Sequence, residues 1–487
     1  MIALATILIL LGGATFGWYR YFTVRELRSG ADTPPLAFIG PERIPLLGVF
    51  FRLKNIISRP NELAGDCNEA YGNAFTIRIP FNFDLTYLVS DDAYRWLVRQ
   101  DPNQVTMGGV MSNVPTVGYW YPRAAKDPAS LQKLLLATRT FLASTSLGRE
   151  KLAEVPAIIA TELDRQAHTL ESGPVDLSTT LWPIVFNASG RAIVGDDLWQ
   201  RIGSEVAPLY RNIADGIDIT RTTLSVTPLA PFTKEYRSTR KLRHIIDRVI
   251  NEHRNGKPND FIAAIERIQI DGAPILEADV GWMLMYVLWN ALVYPGSYAF
   301  WSLVDVVSHP EVHKRVAEAS PARTGDIATQ PEANAAPSRQ EILRDCFVET
   351  LRLHPIGSLV RAPMEALEYR DGEKIWHLPP GGYVGVLPYR LMRDPAAFGN
   401  PNGYDPLRYS EGREDAPGLF GHGAFGCVAE RYSKLLLVAF MDEMLARYDI
   451  ELAGPLPDRH NRVHLTYPYS ELPARLTRTD ELVPRAA

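Results

Sequence analysis

Cysteine is scarce: Cys67, Cys346 and Cys427 are the only three among 487 residues. An odd, sparse set excludes a disulfide-stapled secreted scaffold and a four-thiolate zinc or iron–sulfur centre within one chain. An excess of positive charge is also lacking. Lys and Arg number 51 against 56 Asp and Glu, a net charge of −5. No strong positive field draws in a polyanion, so a nucleic-acid partner is not expected. No repeat at solenoid spacing is present. One segment, ASPARTGDIATQPEANAAPSR at 319–339, lacks large apolar side chains. It reads as a surface insertion between two helices. What the chain does have is apolar bulk: 46% hydrophobic and 22% charged residues. That is enough for a large core and excludes wholesale disorder.

The first apolar run is IALATILILLGGATFGWY at 2–19, free of charge and followed at once by Arg20, Arg25 and Arg28. A span needs roughly 17–25 such residues at helical rise. Basic flanks stay cytosolic, and Trp18, Tyr19 and Tyr21 suit the headgroup level. A cleaved signal peptide carries its charge before the apolar run. The reading is therefore a retained anchor over 1–21, with a single pass and the body in the cytosol. Residues 22–50 hold Pro34, Pro35, Pro41 and Pro45. They predict an extended, stiff strap.

The body, 51–487, is expected to be one large domain, mainly α with a minor antiparallel β part. Apolar residues recur at three- and four-residue spacing over 131–142, 236–254, 279–307, 340–353 and 430–447. Residues 75–90, FTIRIPFNFDLTYLVS, predict two short strands. The apolar stretch 205–235 reads as a mobile helical cover.

The stretch Phe420-Gly421-His422-Gly423-Ala424-Phe425-Gly426-Cys427-Val428-Ala429 precedes a helical pattern. Three glycines in six residues let the backbone take positive φ and press against a flat object. Cys427 stands at the helix N-terminus, where free N–H groups and the positive dipole end favour a thiolate. A thiolate without a second cysteine nearby suits a single axial metal ligand, such as haem iron. For Cys67 and Cys346 the expected role is buried packing.

The pattern F-x-x-G-x-x-x-C-x-A resembles the haem-binding signature of the cytochrome P450 superfamily. The resemblance makes Cys427 the axial ligand and places Phe420 and Gly423 against the haem. It departs at Phe425, where the family usually has Arg or His, and at Ala429, where Gly is usual. DCFVETLRLHP and YDPLRY supply two further family-like pieces. Carried over residue by residue, Glu349, Arg352 and Arg408 form a buried structural triad. Arg361 in SLVRAP matches a position that contacts a haem propionate. The Trp-x-x-x-Arg that often grips the other propionate is absent, and Lys133 is a weak substitute.

The distal helix is expected at 279–307. The family's acid and alcohol, which relay protons for oxygen activation, are replaced by Val293 and Tyr294. Pro295 and Gly296 should kink or unwind the helix there. The sequence LWNALVYPGSYAFWSL resembles the distal helix of the prostacyclin synthase and cholesterol 7-alpha-hydroxylase branch. Asn290 and Tyr294 are the candidate catalytic residues, although Tyr294 could equally fill and shape the pocket.

Three functions follow from the resemblance. The first is a monooxygenase on a lipophilic small molecule, fed from NADPH through a reductase. It would act at the endoplasmic reticulum membrane in specialised metabolism, on a terpenoid, steroid-like or polyketide-derived compound. The second is a partner-independent isomerase or dehydratase acting on an oxygenated substrate. The third is a non-enzymatic haem protein.

Overall fold

The computed structural model describes residues 32–43, 59–79, 83–112, 127–215, 230–320, 337–355, 359–410, 419–457 and 470–482, with Gly13, Gly48, Phe51, Arg52, Lys54 and Asn55. The main helices are α1 (Pro60–Tyr71), α2 (Asp91–Val98), α3 (Pro128–Thr145), α4 (Val155–Leu170), α5 (Leu177–Val194), α6 (Asp196–Asp215), α7 (Lys234–Arg254), α8 (Glu277–Val307), α9 (Arg339–Leu353) and α10 (Glu430–Arg447). The five helices expected from periodicity are all present. Several begin a few residues early because side chains cap them. The Asp127 carboxylate accepts from Ser130 N at 2.9 Å ahead of α3. Thr233 Oγ1 accepts from Tyr236 N at 3.2 Å ahead of α7. Ser338 and Glu341 form a reciprocal capping box on α9.

The expected strand pair is β1 (Ala74–Ile79) and β2 (Phe83–Leu88), antiparallel with Thr76 opposite Thr86. Short β3 (Val105–Thr106) and β4 (Val175–Asp176) come next in sequence. They are followed by β5 (Leu359–Pro363), β6 (Tyr383–Val386), β7 (Tyr448–Leu452) and β8 (Pro473–Arg478). The larger sheet runs β1-β2-β6-β5-β3, and β7-β8-β4 form a second. The β part is not wholly antiparallel: β6 lies parallel to β2, with Val384 beside Thr86. A sequence separation of nearly 300 residues hid that pairing. Val384 also faces Arg361 across the antiparallel β5–β6 pair, which anchors Arg361 within the sheet.

Residues 1–21, read as an anchor, lie outside the described residues apart from Gly13. Among the described residues no helix is long and apolar enough to cross a membrane. The described part of the strap joins the sheet. Thr76 N donates to Pro35 O and Ala37 N to Thr76 O, each at 2.8 Å. Glu42 and Arg52 form a buried ion pair at 2.9 Å. The insertion read at 319–339 falls between two helices, and 321–336 lie outside the described residues. Its ends meet where Arg339 N donates to Ser320 O at 2.9 Å. The cover read at 205–235 divides. Residues up to 215 belong to α6, with Val206, Tyr210 and Ile213 fully packed. Residues 216–229 are not described.

Helix α8 runs through the main core, in contact with α3, α5, α6, α7, α9 and α10. Its 31 residues span about 46 Å at the standard helical rise. The expected unwinding at Pro295 does not occur: the helix is unbroken through it. Proline removes one donor, so the Ala291 carbonyl loses its usual partner. Packing holds the turn nevertheless, since Leu292, Val293, Tyr298 and Ala299 are all buried.

Candidate active site

The charged cluster lies at the C-terminal part of α9. Arg352 donates from Nε and Nη2 to the two Glu349 oxygens, both at 2.8 Å. The same guanidinium donates to the carbonyls of Met392 at 2.7 Å, Pro401 at 2.6 Å and Gly403 at 2.9 Å. Arg408 Nε reaches Glu349 Oε1 at 3.2 Å. Two further donors converge on the carboxylate, Asp405 N and the Tyr409 hydroxyl, each at 2.9 Å. Glu349, Arg352 and Arg408 are all buried. The structure thus brings together the three residues that the sequence grouped. Tyr409 was missed, although it sits next to Arg408 in the quoted motif.

Ahead of α10 the glycine-rich segment folds back on itself. Cys427 N donates to Phe420 O at 2.6 Å, and Gly426 N to Gly423 O at 3.1 Å. Gly421 and Gly423 take φ of +71° and +60°, values that side-chain-bearing residues rarely adopt. Phe420 packs edge-on against Phe347 of α9 at 6.4 Å. His422 Nδ1 lies 2.6 Å from the Tyr94 hydroxyl of α2. Cys67 and Cys346 are buried, whereas Cys427 is exposed. The expected thiolate preference is offset. Although its side chain is open to the cleft, the protein packed around it partly desolvates Cys427 and pushes the thiol up, against the Ala429 backbone N–H and the Arg139 cation, which favour the thiolate.

Arg139 was not anticipated. From α3 its guanidinium donates to the Gly426 carbonyl, one residue before Cys427. Lys133, the cation proposed on that helix, points elsewhere. Its ammonium pairs with Asp271 at 2.5 Å, and both side chains are exposed. The two are six residues apart on α3, so they lie on different faces.

Helix α8 supplies the opposing wall. From Asp279 to Val306 every residue is buried except Tyr286, Asn290 and Tyr294. They stand at i, i+4 and i+8, one line along the helix. Both phenols are deep in the protein and within electrostatic reach of Cys427. Burial pushes the Tyr286 hydroxyl up to about 12 and raises that of Tyr294. Each is thus a neutral O–H donor at physiological pH. Trp289 bonds the Tyr294 oxygen, and Asn290 Nδ2 donates to the Tyr286 carbonyl at 2.8 Å. Val293, at the position of the family acid, is fully buried and faces the core.

Arg361 lies at the edge of the same space. It is 3% exposed and donates to Val360 O at 2.7 Å. Burial lowers it to about 10, while Tyr286 and Tyr94 favour its charge. It remains a cation near neutrality. An exposed thiol, a glycine turn, an open stripe on the facing helix and a buried cation at the rim fit a flat, iron-bearing group with carboxylate arms.

Comparison with known proteins agrees. The cytochrome P450 family model matches residues 39–470. A sterol 14-demethylase of Arabidopsis thaliana is 27% identical over 304 residues, covering 59% of this chain and 61% of that protein. An obtusifoliol 14-alpha demethylase of Sorghum bicolor is 23% identical over 89% of this chain and 88% of its own length. The structure of retinoic acid-bound cyanobacterial CYP120A1 has the same fold, with a TM-score of 0.69 and 16% identity over 88% of this chain and 96% of that one. The chain belongs to the cytochrome P450 family, oxidoreductases built around a haem whose iron takes a cysteine thiolate.

Proposed function

We propose that the protein is a membrane-anchored monooxygenase that inserts oxygen into a lipophilic small molecule of specialised metabolism. NADPH would supply electrons through a separate reductase. The observation that carries this reading is the exposed Cys427 within electrostatic reach of Tyr286 and Tyr294, two of the three residues between Asp279 and Val306 that are not fully buried. The apolar run at 2–19 supports the anchor, and the buried wall of α8 supports an apolar substrate. The plant relatives are named as sterol and obtusifoliol demethylases, which favours a polycyclic terpenoid or steroid-like substrate.

In this reading Cys427 would supply the sulfur that holds the iron, and Arg361 would hold a carboxylate arm. Phe420 and Gly423 shape the loop, while Arg139 fixes the carbonyl beside the ligand. When bound, the haem supplies the oxygen-activating chemistry. Val293 has no proton to give. Tyr294 holds one at its phenol oxygen, and Asn290 orients the neighbouring polar edge. A substrate oxygen or an ordered water completes any relay between Tyr294 and solvent.

The test is deletion of the gene in its native host, with exact masses of the accumulated precursor and the missing product. A gain of one oxygen is expected. Equal mass, or loss of water, would replace this reading with the isomerase or dehydratase one, for which the missing acid–alcohol pair is the specific argument.

Two variants probe individual roles. Tyr294→Phe keeps the ring and removes the O–H. Product formed per NADPH consumed should fall by about two orders of magnitude, in line with loss of a general acid. Unchanged coupling would make Tyr294 a shape-filling residue. Arg139→Gln removes a charged donor from the loop. Haem transfer to excess apomyoglobin should speed up by about tenfold, the scale of one charge-assisted bond, with partial rescue by Arg139→Lys. An unchanged transfer rate would assign Arg139 to the surface.

A further inference from the structure

We infer that the substrate already carries an oxygen function, such as a carbonyl, ether or hydroxyl, away from the carbon attacked, and that Tyr286 with Asn290 recognises it. The inference rests on the monooxygenase reading and adds the chemical class of its substrate.

The argument begins with what α8 spends its open positions on. Of the residues from Asp279 to Val306, only three reach open space, and all three are polar or carry a polar tip. A wall meant for a plain hydrocarbon would present apolar residues at those positions, as α8 does at their neighbours Met285, Val287, Trp289, Ala291 and Val293. The spacing places Tyr286 about 12 Å along the helix from Tyr294, with Asn290 halfway. Tyr294 occupies the relay position of the family, so Tyr286 addresses a different part of the bound molecule.

The hydrogen-bond inventory defines what is offered. Asn290 Nδ2 donates to the Tyr286 carbonyl, and the same side chain bonds the Tyr286 hydroxyl oxygen, which leaves Oδ1 as an acceptor. The Tyr286 ring is fixed by stacking on Trp282, with centroids 4.9 Å apart and planes 11° apart. Its hydroxyl is neutral and donates. The wall therefore presents a rigid O–H donor beside an amide acceptor. A carbonyl or ether oxygen takes the donor, and a hydroxyl takes both. A hydrocarbon strips water from these groups and returns nothing, which sites of this kind penalise. Tyr286 and Asn290 are thus specificity-determining residues.

The test uses matched hydrocarbon, monoketone and diketone forms of one steroid skeleton and one sesquiterpene skeleton. Each is bound to the purified holoprotein by equilibrium dialysis, for wild type, Tyr286→Phe and Asn290→Leu. Comparing each ligand between variant and wild type cancels its own hydrophobicity. At least one ketone should lose about fivefold in affinity in Tyr286→Phe, the worth of a neutral hydrogen bond. Its hydrocarbon parent should hold or gain, which also shows that the variant pocket is intact. Should Tyr286→Phe fail to fold, Asn290→Leu carries the same comparison with a hydroxylated ligand. Hydrocarbons binding as tightly as ketones, an advantage that survives both variants, or no advantage for any ketone would each overturn the inference. A thiolate-type spectrum of the reduced, carbon-monoxide-bound protein is recorded on the same samples. Its absence would instead overturn the haem-thiolate reading.

Discussion

Glu349→Ala should yield almost no folded, haem-loaded protein. The carboxylate takes hydrogen bonds from the buried guanidiniums of both Arg352 and Arg408, and the other carboxylate near them, Asp405, stands 3.9 Å from Arg408 and is half exposed. Removing it leaves the Arg352 charge buried without its carboxylate and Arg408 with only the longer Asp405 contact. Breaking one buried pair from one side costs about 3–5 kcal/mol, against a total stability of about 5–15 kcal/mol for a typical protein. Here a second cation and the donors Asp405 N and Tyr409 Oη lose the same partner. The carbonyls of Met392, Pro401 and Gly403 still accept from Arg352, but they do not neutralise it. Soluble yield and haem content per chain are the measurements. Glu349→Gln keeps the shape and one acceptor, so it should fall between wild type and Ala. Full yield with normal haem content in Glu349→Ala would show that the cluster is dispensable.

The second large effect is at Cys427. Replacement by Ala leaves the loop its backbone bonds, because Cys427 N to Phe420 O and Gly426 N to Gly423 O do not involve the sulfur. Arg139 likewise holds Gly426 through its carbonyl. The chain should therefore fold, and the loss should be confined to the metal ligand and to turnover. Product formation should drop below detection, while the far-ultraviolet circular dichroism stays that of wild type. Collapse of secondary structure would mean that the thiol itself packs the proximal core. Comparable turnover would remove Cys427 from the mechanism.

Much of this arrangement was legible in the sequence, and the exceptions have physical causes. The bounds of α8 and α9 followed from apolar spacing to within two residues. The grouping of Glu349, Arg352 and Arg408 came from the family resemblance of DCFVETLRLHP and YDPLRY. Tyr286 was passed over because α8 is apolar on all sides, so no periodic contrast marks its open line. The signal was there in the spacing of Tyr286, Asn290 and Tyr294, three polar side chains four residues apart in an apolar helix. Arg139 left no trace because its partner is a backbone carbonyl 287 residues away. Lys133 was misjudged for the converse reason, since Asp271, which takes its charge, lies 138 residues on. The turn at Pro295 stayed helical because tertiary packing outweighed one lost hydrogen bond.

The most direct measurement is the spectrum of the reduced, carbon-monoxide-bound protein, taken for wild type and Cys427→Ala at equal haem content. The account predicts a thiolate-type band in wild type and none in the variant. A thiolate-type band that persists in Cys427→Ala, or an imidazole-type band in folded wild type, would contradict it.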